Sequence, residues 1–188
     1  MIYKNRQVVT TSLLILFLIA CGSAKQVETS QAKPLNLFES LPDASEKKTL
    51  VGIVTKEQIM LDTAFNWYDT NLKYYKADST TVQTIREKKD AIHLVLFCGT
   101  WCHDSQQLVP KYFTTLQAAN FPDKHLTIVG MDRSKKTIAQ LEHTFNITNV
   151  PTMVVMQNGK EVGRIVEYGE TTFVDKELGE IIAAIPAN

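Results

Sequence analysis

Apolar residues recur along residues 50–188 at two different spacings, and these spacings predict alternating strands and helices. Short and nearly uninterrupted apolar runs predict strands at residues 50–54, 92–97, 126–131 and 152–156, and a shorter apolar pattern predicts one more at residues 161–167. Apolar residues three or four positions apart predict helices at residues 56–76, 80–89 and 173–184, one that begins near Cys102, and one that carries Ile138, Leu141 and Phe145. This order predicts an α/β domain, in which helices flank a central mixed sheet and extra helices come first.

Three local signals refine this pattern. Residues 92–97 (Ile-His-Leu-Val-Leu-Phe) are too uniformly apolar for a half-exposed strand and predict a buried central one. The pair Asn158-Gly159 lies between two apolar runs and predicts a hairpin turn. Pro110 falls inside the helix that begins near Cys102 and predicts a kink there.

The first residues indicate a targeting segment. Two basic residues precede an apolar run at residues 8–20, which is shorter than the roughly 18 apolar residues that a membrane span needs. The run ends in Leu-Ile-Ala-Cys21-Gly, which resembles the lipobox of bacterial lipoproteins, where cleavage precedes a cysteine that becomes lipidated. We therefore expect residues 1–20 to be a signal peptide and Cys21 a lipid anchor in the cell envelope, facing the periplasm. The alternative is an ordinary secretory signal with a coincidental cysteine.

The composition of the segment after Cys21 predicts a tether, and the charge of the chain limits the classes of partner that it can bind. Residues 21–49 are polar and lack a hydrophobic period, so we expect a lipidated tether that leads into one domain at residues 50–188. The chain has 20 basic and 20 acidic residues; loss of residues 1–20 removes Lys4 and Arg6 but no acid, which leaves 18 and 20. This balance argues against a nucleic-acid partner.

Cys102 is the main candidate for chemistry. It lies where the apolar strand at residues 92–97 meets the next helix, in the segment Phe-Cys-Gly-Thr-Trp-Cys102-His-Asp-Ser. Backbone N–H groups and the dipole at a helix N-terminus favour the thiolate, which is the form that attacks disulfides. The position three residues later, where a dithiol motif has its second cysteine, is Ser105, whereas Cys98 lies four residues upstream.

These residues and the order of elements resemble the thioredoxin family. Trp101-Cys102 follows the central strand, and Pro110 falls where the family kinks its active-site helix. Asn149-Val150-Pro151-Thr152 resembles the family's cis-proline segment, and Gly159 and Gly169 fall at its hairpin and before its last helix. The resemblance covers residues 90–186 and implies a thioredoxin-like fold. It also implies a cis bond before Pro151, which would lie against the active-site sulfur.

Three positions depart from the family's pattern. Ser105 stands where the family has its second cysteine, Leu96 where many members have a buried acid, and Cys98 where an aromatic residue is usual. The segment that ends in Cys102-x-Asp-Ser105 is similar to family members with a single active-site cysteine. These changes argue against a plain thioredoxin reductase as the partner.

The resemblance implies roles for the site residues, some with alternatives. Cys102 would attack, while Trp101, Val150, Pro151 and Thr152 would form the substrate site. Cys98 either resolves the mixed disulfide by pairing with Cys102 or is a buried strand-end thiol.

The residues beside Cys102 have opposing effects. His103, when protonated, favours the thiolate, whereas Asp104 opposes it. Ser105 either donates a hydrogen bond to the thiolate or is an ordinary helix residue.

We therefore expect an envelope thiol–disulfide oxidoreductase or isomerase that acts on protein clients and depends on an unidentified electron donor. A single cysteine favours isomerase or reductase behaviour, because such a site has no disulfide of its own to donate. One alternative is a non-catalytic client-binding module. Another is a copper-handling protein, although Cys98-x3-Cys102-His103 matches known copper sites of this fold only superficially. We expect no metal and no cofactor.

Overall fold

A computed structural model of the chain describes residues 37–42 and 48–186. The predicted signal peptide and the predicted lipid anchor, Cys21, lie outside the described residues. No helix within the described ranges combines the length and apolar character that a membrane crossing requires.

Six strands form one mixed sheet. They are β1 (Phe38–Pro42), β2 (Lys48–Val54), β3 (His93–Cys98), β4 (Leu126–Gly130), β5 (Thr152–Gln157) and β6 (Lys160–Val166). Their order across the sheet is β1-β2-β4-β3-β5-β6. Only the pair β3–β4 is parallel among these described strands, and the other neighbours run antiparallel. The predicted mixed α/β architecture is confirmed, with β3 buried along nearly its whole length as its apolar run predicts.

Helices cover the two faces of this sheet unequally. They are α1 (Lys56–Met60), α2 (Trp67–Leu72), α3 (Ser79–Lys88), α4 (His103–Ala118), α5 (Leu141–Thr144) and α6 (Val174–Ala183). Side chains of α2, α3, α4 and α6 join one core cluster with Leu94, Leu96 and Cys98 of β3. The remaining β3 side chains, Val95 and Phe97, belong to a second cluster that the region around α5 covers.

The sheet begins earlier than the sequence predicts. Strand β1 lies within the segment expected to be tether, and it pairs with β2 in antiparallel register from Phe38 opposite Gly52 to Pro42 opposite Lys48. Four of its five residues are exposed and one of them is proline, as is common at a sheet edge. A short edge strand without an apolar period gives no sequence signal.

Two predicted helices are shorter or broken. The helix expected over residues 56–76 divides into α1, a 3₁₀ turn at Thr63–Phe65 and α2. Asp62 causes the break, because its side chain accepts a hydrogen bond from the Ala64 N–H at 2.9 Å and so starts a new turn. Leu61, one of the apolar residues whose spacing predicts the longer helix, is 76% exposed as a result.

The helix expected around residues 138–145 is reduced to a 3₁₀ turn at Ile138–Gln140 and the four residues of α5. Ala139 and Gln140 have φ values of 51° and 54°, which lie in the left-handed region and do not continue a right-handed helix. The other local predictions are confirmed in position. Asn158 and Gly159 form the turn between β5 and β6 with positive φ, and Pro110 lies inside α4.

Substitution of two glycines will separate backbone strain from steric overlap. Gly52 and Gly159 both have positive φ, but only Gly52 lies against other atoms, because an added Cβ would overlap the Leu37 carbonyl oxygen. We expect Gly159→Ala to lower the free energy of unfolding by about 1 kcal/mol and Gly52→Ala by about 3 kcal/mol or more. Urea unfolding of both variants is the measurement. Equal losses would contradict the packing of residue 37 over β2.

Candidate active site

Cys102 is the N-cap of α4, as its position in the sequence predicts. Its backbone is extended (φ −84°, ψ 125°), and its carbonyl accepts the first helical hydrogen bond from the Gln106 N–H at 3.0 Å. Its own N–H donates to the Gly99 carbonyl at 2.9 Å, which closes the turn between β3 and α4. The side chain is half-buried beside the second core cluster. The sulfur therefore lies at a helix N-terminus and remains accessible.

The loop before β5 lies against this sulfur. The peptide bond between Val150 and Pro151 is cis, as the family resemblance implies. The Cys102 thiol donates a hydrogen bond to the Val150 carbonyl, with 3.2 Å between sulfur and oxygen. The Thr152 hydroxyl donates to the Asn149 carbonyl at 2.8 Å and closes the loop on itself. The structure thus brings Cys102, Val150, Pro151 and Thr152 together.

Cys98 is placed differently from Cys102. Its side chain is 2% exposed and belongs to the core cluster on the helix-covered face, with Leu94 and Leu96. Burial raises the pKa of the Cys98 thiol to about 12, and the negative charge of Cys102 contributes a smaller part. The two cysteines are free and pack into different core clusters. This arrangement corresponds to the buried strand-end thiol, one of the two alternatives that the sequence leaves open.

Ser105 and Gly99 shape the turn that carries the thiol. The buried Ser105 hydroxyl accepts a hydrogen bond from the Gly99 N–H at 3.1 Å. Within the described residues, no hydrogen bond joins Ser105 to Cys102. A Cβ on Gly99 would lie 2.7 Å from the indole of Trp101, so the close approach of this ring requires glycine.

Trp101 borders the site on the side of β4. Its indole Nε1 donates to the Met131 carbonyl at 2.8 Å, and the ring is half-buried. The guanidinium of Arg133 lies 5.4 Å from the centre of the indole, within the range of a cation–π interaction. The ring is therefore fixed in orientation by both its edge and its face.

Several residues of the site gave no sequence signal. The Thr100 hydroxyl donates to the Lys48 carbonyl at 3.1 Å and accepts from the Leu50 N–H at 3.2 Å, which attaches the active-site turn to β2. The Gln106 side-chain amide donates to the Thr100 carbonyl at 2.8 Å. The two contacts of the Thr100 hydroxyl join residues 50 and 52 positions apart, which no local pattern reveals.

The two polar neighbours of Cys102 have different surroundings. The Tyr168 hydroxyl donates a hydrogen bond to Asp104 Oδ1 at 3.1 Å. His103 is exposed, and among the described residues none forms a hydrogen bond or ion pair with its ring. Over the same described ranges, no group of three or more His, Cys, Asp or Glu side chains could hold a metal ion.

Comparison with known proteins gives one family match. The model of the family described as Thioredoxin matches residues 71–178, which is more than half of the 188-residue chain. No curated protein sequence matches this chain.

Solved structures of low sequence identity also align with it. A protein of unknown function from Pseudomonas aeruginosa is 14% identical, with 69% of this chain and 84% of that chain covered and a TM-score of 0.44. A mutant thioredoxin from Halobacterium salinarum is 21% identical, with 51% and 79% covered and a TM-score of 0.36. Oxidised thioredoxin O2 from Arabidopsis thaliana is 20% identical, with 54% and 82% covered and a TM-score of 0.36.

The two described cysteines should differ strongly in reactivity. A thiol with a pKa near 12 has roughly a thousandth of the thiolate of an ordinary thiol at neutral pH. We expect iodoacetamide to label Cys102 at pH 7.5 at least about 100-fold faster than Cys98 in the folded protein. Peptide mass mapping over time measures both rates, and unfolding in urea should remove the difference. Comparable rates in the folded state would contradict the burial of Cys98.

Proposed function

This chain belongs to the thioredoxin family and has the thioredoxin fold that its sequence predicts, and we propose that it is a thiol–disulfide exchange protein with Cys102 as its only working thiol. The observation that carries this proposal is the position of the Cys102 sulfur. The Cys102 side chain is half-buried at the N-terminus of α4, and its sulfur lies 3.2 Å from the Val150 carbonyl oxygen, beside Pro151. A helix N-terminus stabilises the thiolate that such chemistry requires.

The proposed reaction consists of two exchange steps. The Cys102 thiolate attacks one sulfur of a client disulfide, which forms a mixed disulfide and releases the other client sulfur as a thiolate. A second thiolate then attacks the client sulfur of the mixed disulfide and regenerates the Cys102 thiolate. If the second thiolate belongs to the client, the client disulfide is rearranged without net oxidation or reduction. Net reduction requires two external thiols instead: the first attacks the Cys102 sulfur and releases the reduced client, and the second attacks the external sulfur of the new mixed disulfide and releases Cys102. The two external thiols end as one disulfide, and two electrons pass to the client.

We propose that the second thiolate comes from outside the chain. Cys98 is 2% exposed and lies in the opposite core cluster, and Ser105 supplies no sulfur. A site without an internal partner stores no disulfide, so it is suited to isomerisation or to reduction by an external thiol. This corresponds to the single-cysteine branch of the family that the segment from Gly99 to Ser105 resembles.

The client would bind along the loop before β5. When Cys102 ionises, the Val150 carbonyl loses the thiol donor that it has in the structure and becomes available to a client N–H. An extended client segment that hydrogen-bonds there would place its sulfur beside Cys102. Trp101 would border that segment, because its half-buried ring is fixed by a hydrogen bond beside the active-site turn. Thr152 is buried and would support the segment from below, because its hydroxyl holds the loop through the Asn149 carbonyl.

We also propose that the protein acts in the cell envelope as a lipoprotein that faces the periplasm. The support is sequence-based: residues 1–20 have the pattern of a signal peptide, and Cys21 follows a lipobox-like segment. The polar residues between Cys21 and β1 would form the tether. Protein clients with thiols or disulfides and an external thiol donor are the partners that this location requires.

The anchor can be tested by metabolic labelling with a fatty acid. We expect the full-length chain to incorporate the label, because Cys21 would be acylated, and we expect Cys21→Ser to incorporate none. Cys102→Ser is the matched control, since it removes a thiol of the domain and should label like the wild type. Loss of label in the control, or its retention in Cys21→Ser, would contradict the proposed anchor.

The exchange reaction can be tested with a disulfide-bonded peptide and excess glutathione. We expect Cys102→Ser to lower the protein-dependent rate at least about 1,000-fold, because a hydroxyl does not attack disulfides at neutral pH. Cys98→Ala should retain most of the rate. Turnover that persists in Cys102→Ser would sink the proposal. Equal binding of reduced and oxidised clients by that variant would favour a non-catalytic binding module instead.

A further inference from the structure

A tyrosine from the far end of the chain reaches the first turn of α4. Tyr168 lies in the turn between β6 and α6, and its hydroxyl donates to Asp104 Oδ1 at 3.1 Å across 64 positions of sequence. Its ring packs against the core cluster on the helix-covered face. The phenol therefore has a fixed body and a polar end directed at the active-site helix.

The turn that carries Tyr168 is held on both sides. The preceding residue, Glu167, has a φ of 52°, and its N–H donates to the Pro151 carbonyl at 2.7 Å. The following residue, Gly169, has a φ of 65°, and a Cβ there would overlap the Glu177 carboxylate. That carboxylate in turn accepts from the Glu170 N–H at 3.0 Å. The turn is thus joined to the cis-proline loop and to α6, so the Tyr168 hydroxyl is positioned by backbone contacts.

Asp104 creates an electrostatic conflict at this helix end. Cys102 is the N-cap of α4 and Asp104 is its second helical residue, so a thiolate and a carboxylate share one N-terminus. Each is stabilised by the helix dipole, but each also disfavours the charge of the other. A group that donates a hydrogen bond to the carboxylate reduces its repulsion of the thiolate, because the donor offsets part of the carboxylate charge.

The raised pKa of Tyr168 is consistent with its hydroxyl acting as a hydrogen-bond donor to Asp104. Its pKa is raised, first by burial, then by the hydrogen bond to Asp104, and further by the negative charges of Asp104, Cys102 and Glu167. The phenol is therefore a neutral donor at physiological pH.

We propose that Tyr168 is a positioning residue for the Cys102 thiolate that acts through Asp104, by holding and partly neutralising the carboxylate that shares the N-terminus of α4. This inference rests on the proposed function, because it explains how the attacking thiolate forms beside an acid. Phenylalanine keeps the ring that packs against the core, and the hydroxyl makes one hydrogen bond, so Tyr168→Phe removes the donor alone.

Other charged and titratable groups lie on the elements around the active-site turn and must stay constant in a test. On α4 they are His103 and Asp104, and at the end of β3 there is Cys98. The segment after β4 contributes Arg133, which lies over Trp101. Lys135 is bound to the Asn149 side chain of the proline loop at 2.9 Å, and the turn after β6 contributes Glu167. None of these is altered by removal of the Tyr168 hydroxyl.

The test is the pH dependence of Cys102 alkylation by iodoacetamide in the full-length protein, followed by peptide mass mapping. We expect Tyr168→Phe to raise the midpoint of the profile by about 0.5 pH unit, because the carboxylate regains its full charge. Asp104→Asn should lower the midpoint by about 0.5 to 1 unit. In the Asp104→Asn background, Tyr168→Phe should cause no further shift.

Two results would overturn the inference. One is an unchanged or lowered midpoint in Tyr168→Phe. The other is a shift of the same size in the Asp104→Asn background, which would mean that Tyr168 acts on the sulfur without Asp104. Tyr74→Phe is the matched control, because Tyr74 is 87% exposed and its ring lies beside the Lys73 ammonium, so its profile should equal that of the wild type.

Failure of the inference about Tyr168 is distinguishable from failure of the proposed exchange function. Alkylation reports the ionisation of Cys102 and requires no client, whereas the exchange assay reports turnover. If Tyr168→Phe shifts the alkylation midpoint only when Asp104 is present, but turnover does not depend on Cys102, the role of Tyr168 is supported and the exchange function is rejected. If turnover depends on Cys102 but that shift is absent, the exchange function is supported and the role of Tyr168 is rejected.

Discussion

The alternation of side chains along β3 determines which sulfur can react. Leu94, Leu96 and Cys98 belong to the core on one face of the sheet, and Val95 and Phe97 belong to the core on the other. Strand β3 ends at Cys98, and the alternation of its side chains places that thiol in the core on the helix-covered face. The chain then turns at Gly99 and begins α4 at Cys102, beside the second core. One thiol is thereby buried and the other is half-exposed at a helix N-terminus.

Four contacts from different parts of the chain hold this active-site turn. Thr100 bonds to the backbone of β2, the Trp101 indole to Met131 after β4, the Cys102 thiol to Val150 before β5, and Asp104 to Tyr168 after β6. These four residues contact the chain at the ends of four different strands, so the sheet sets the geometry of the site. Ser105, in place of a second thiol, contributes through its hydrogen bond to Gly99. The turn is therefore fully supported without an internal disulfide.

The features that the sequence predicts correctly are those with a local cause. The buried strand β3, the start of α4 at Cys102 and the turn at Asn158-Gly159 each follow from a few adjacent residues. The cis bond before Pro151 was accessible only through the family resemblance, because most bonds before proline are trans. The features that the sequence did not predict depend on distant contacts. Strand β1 forms because it pairs with β2, and the turn that carries Tyr168 is held in place by a hydrogen bond to the Pro151 carbonyl. The face on which Cys98 lies follows from the register of β3, which the sequence leaves open.

The intact mass of the protein after treatment with oxidised glutathione tests the single-thiol site most directly. Cys102 can form a mixed disulfide with glutathione, and its release requires a second thiol within reach. Because Cys98 lies in the opposite core, we expect the domain to gain one stable glutathione on Cys102 and Cys98 to stay reduced. A loss of two hydrogen atoms without an adduct would show a disulfide between Cys98 and Cys102, and would contradict a single-thiol site.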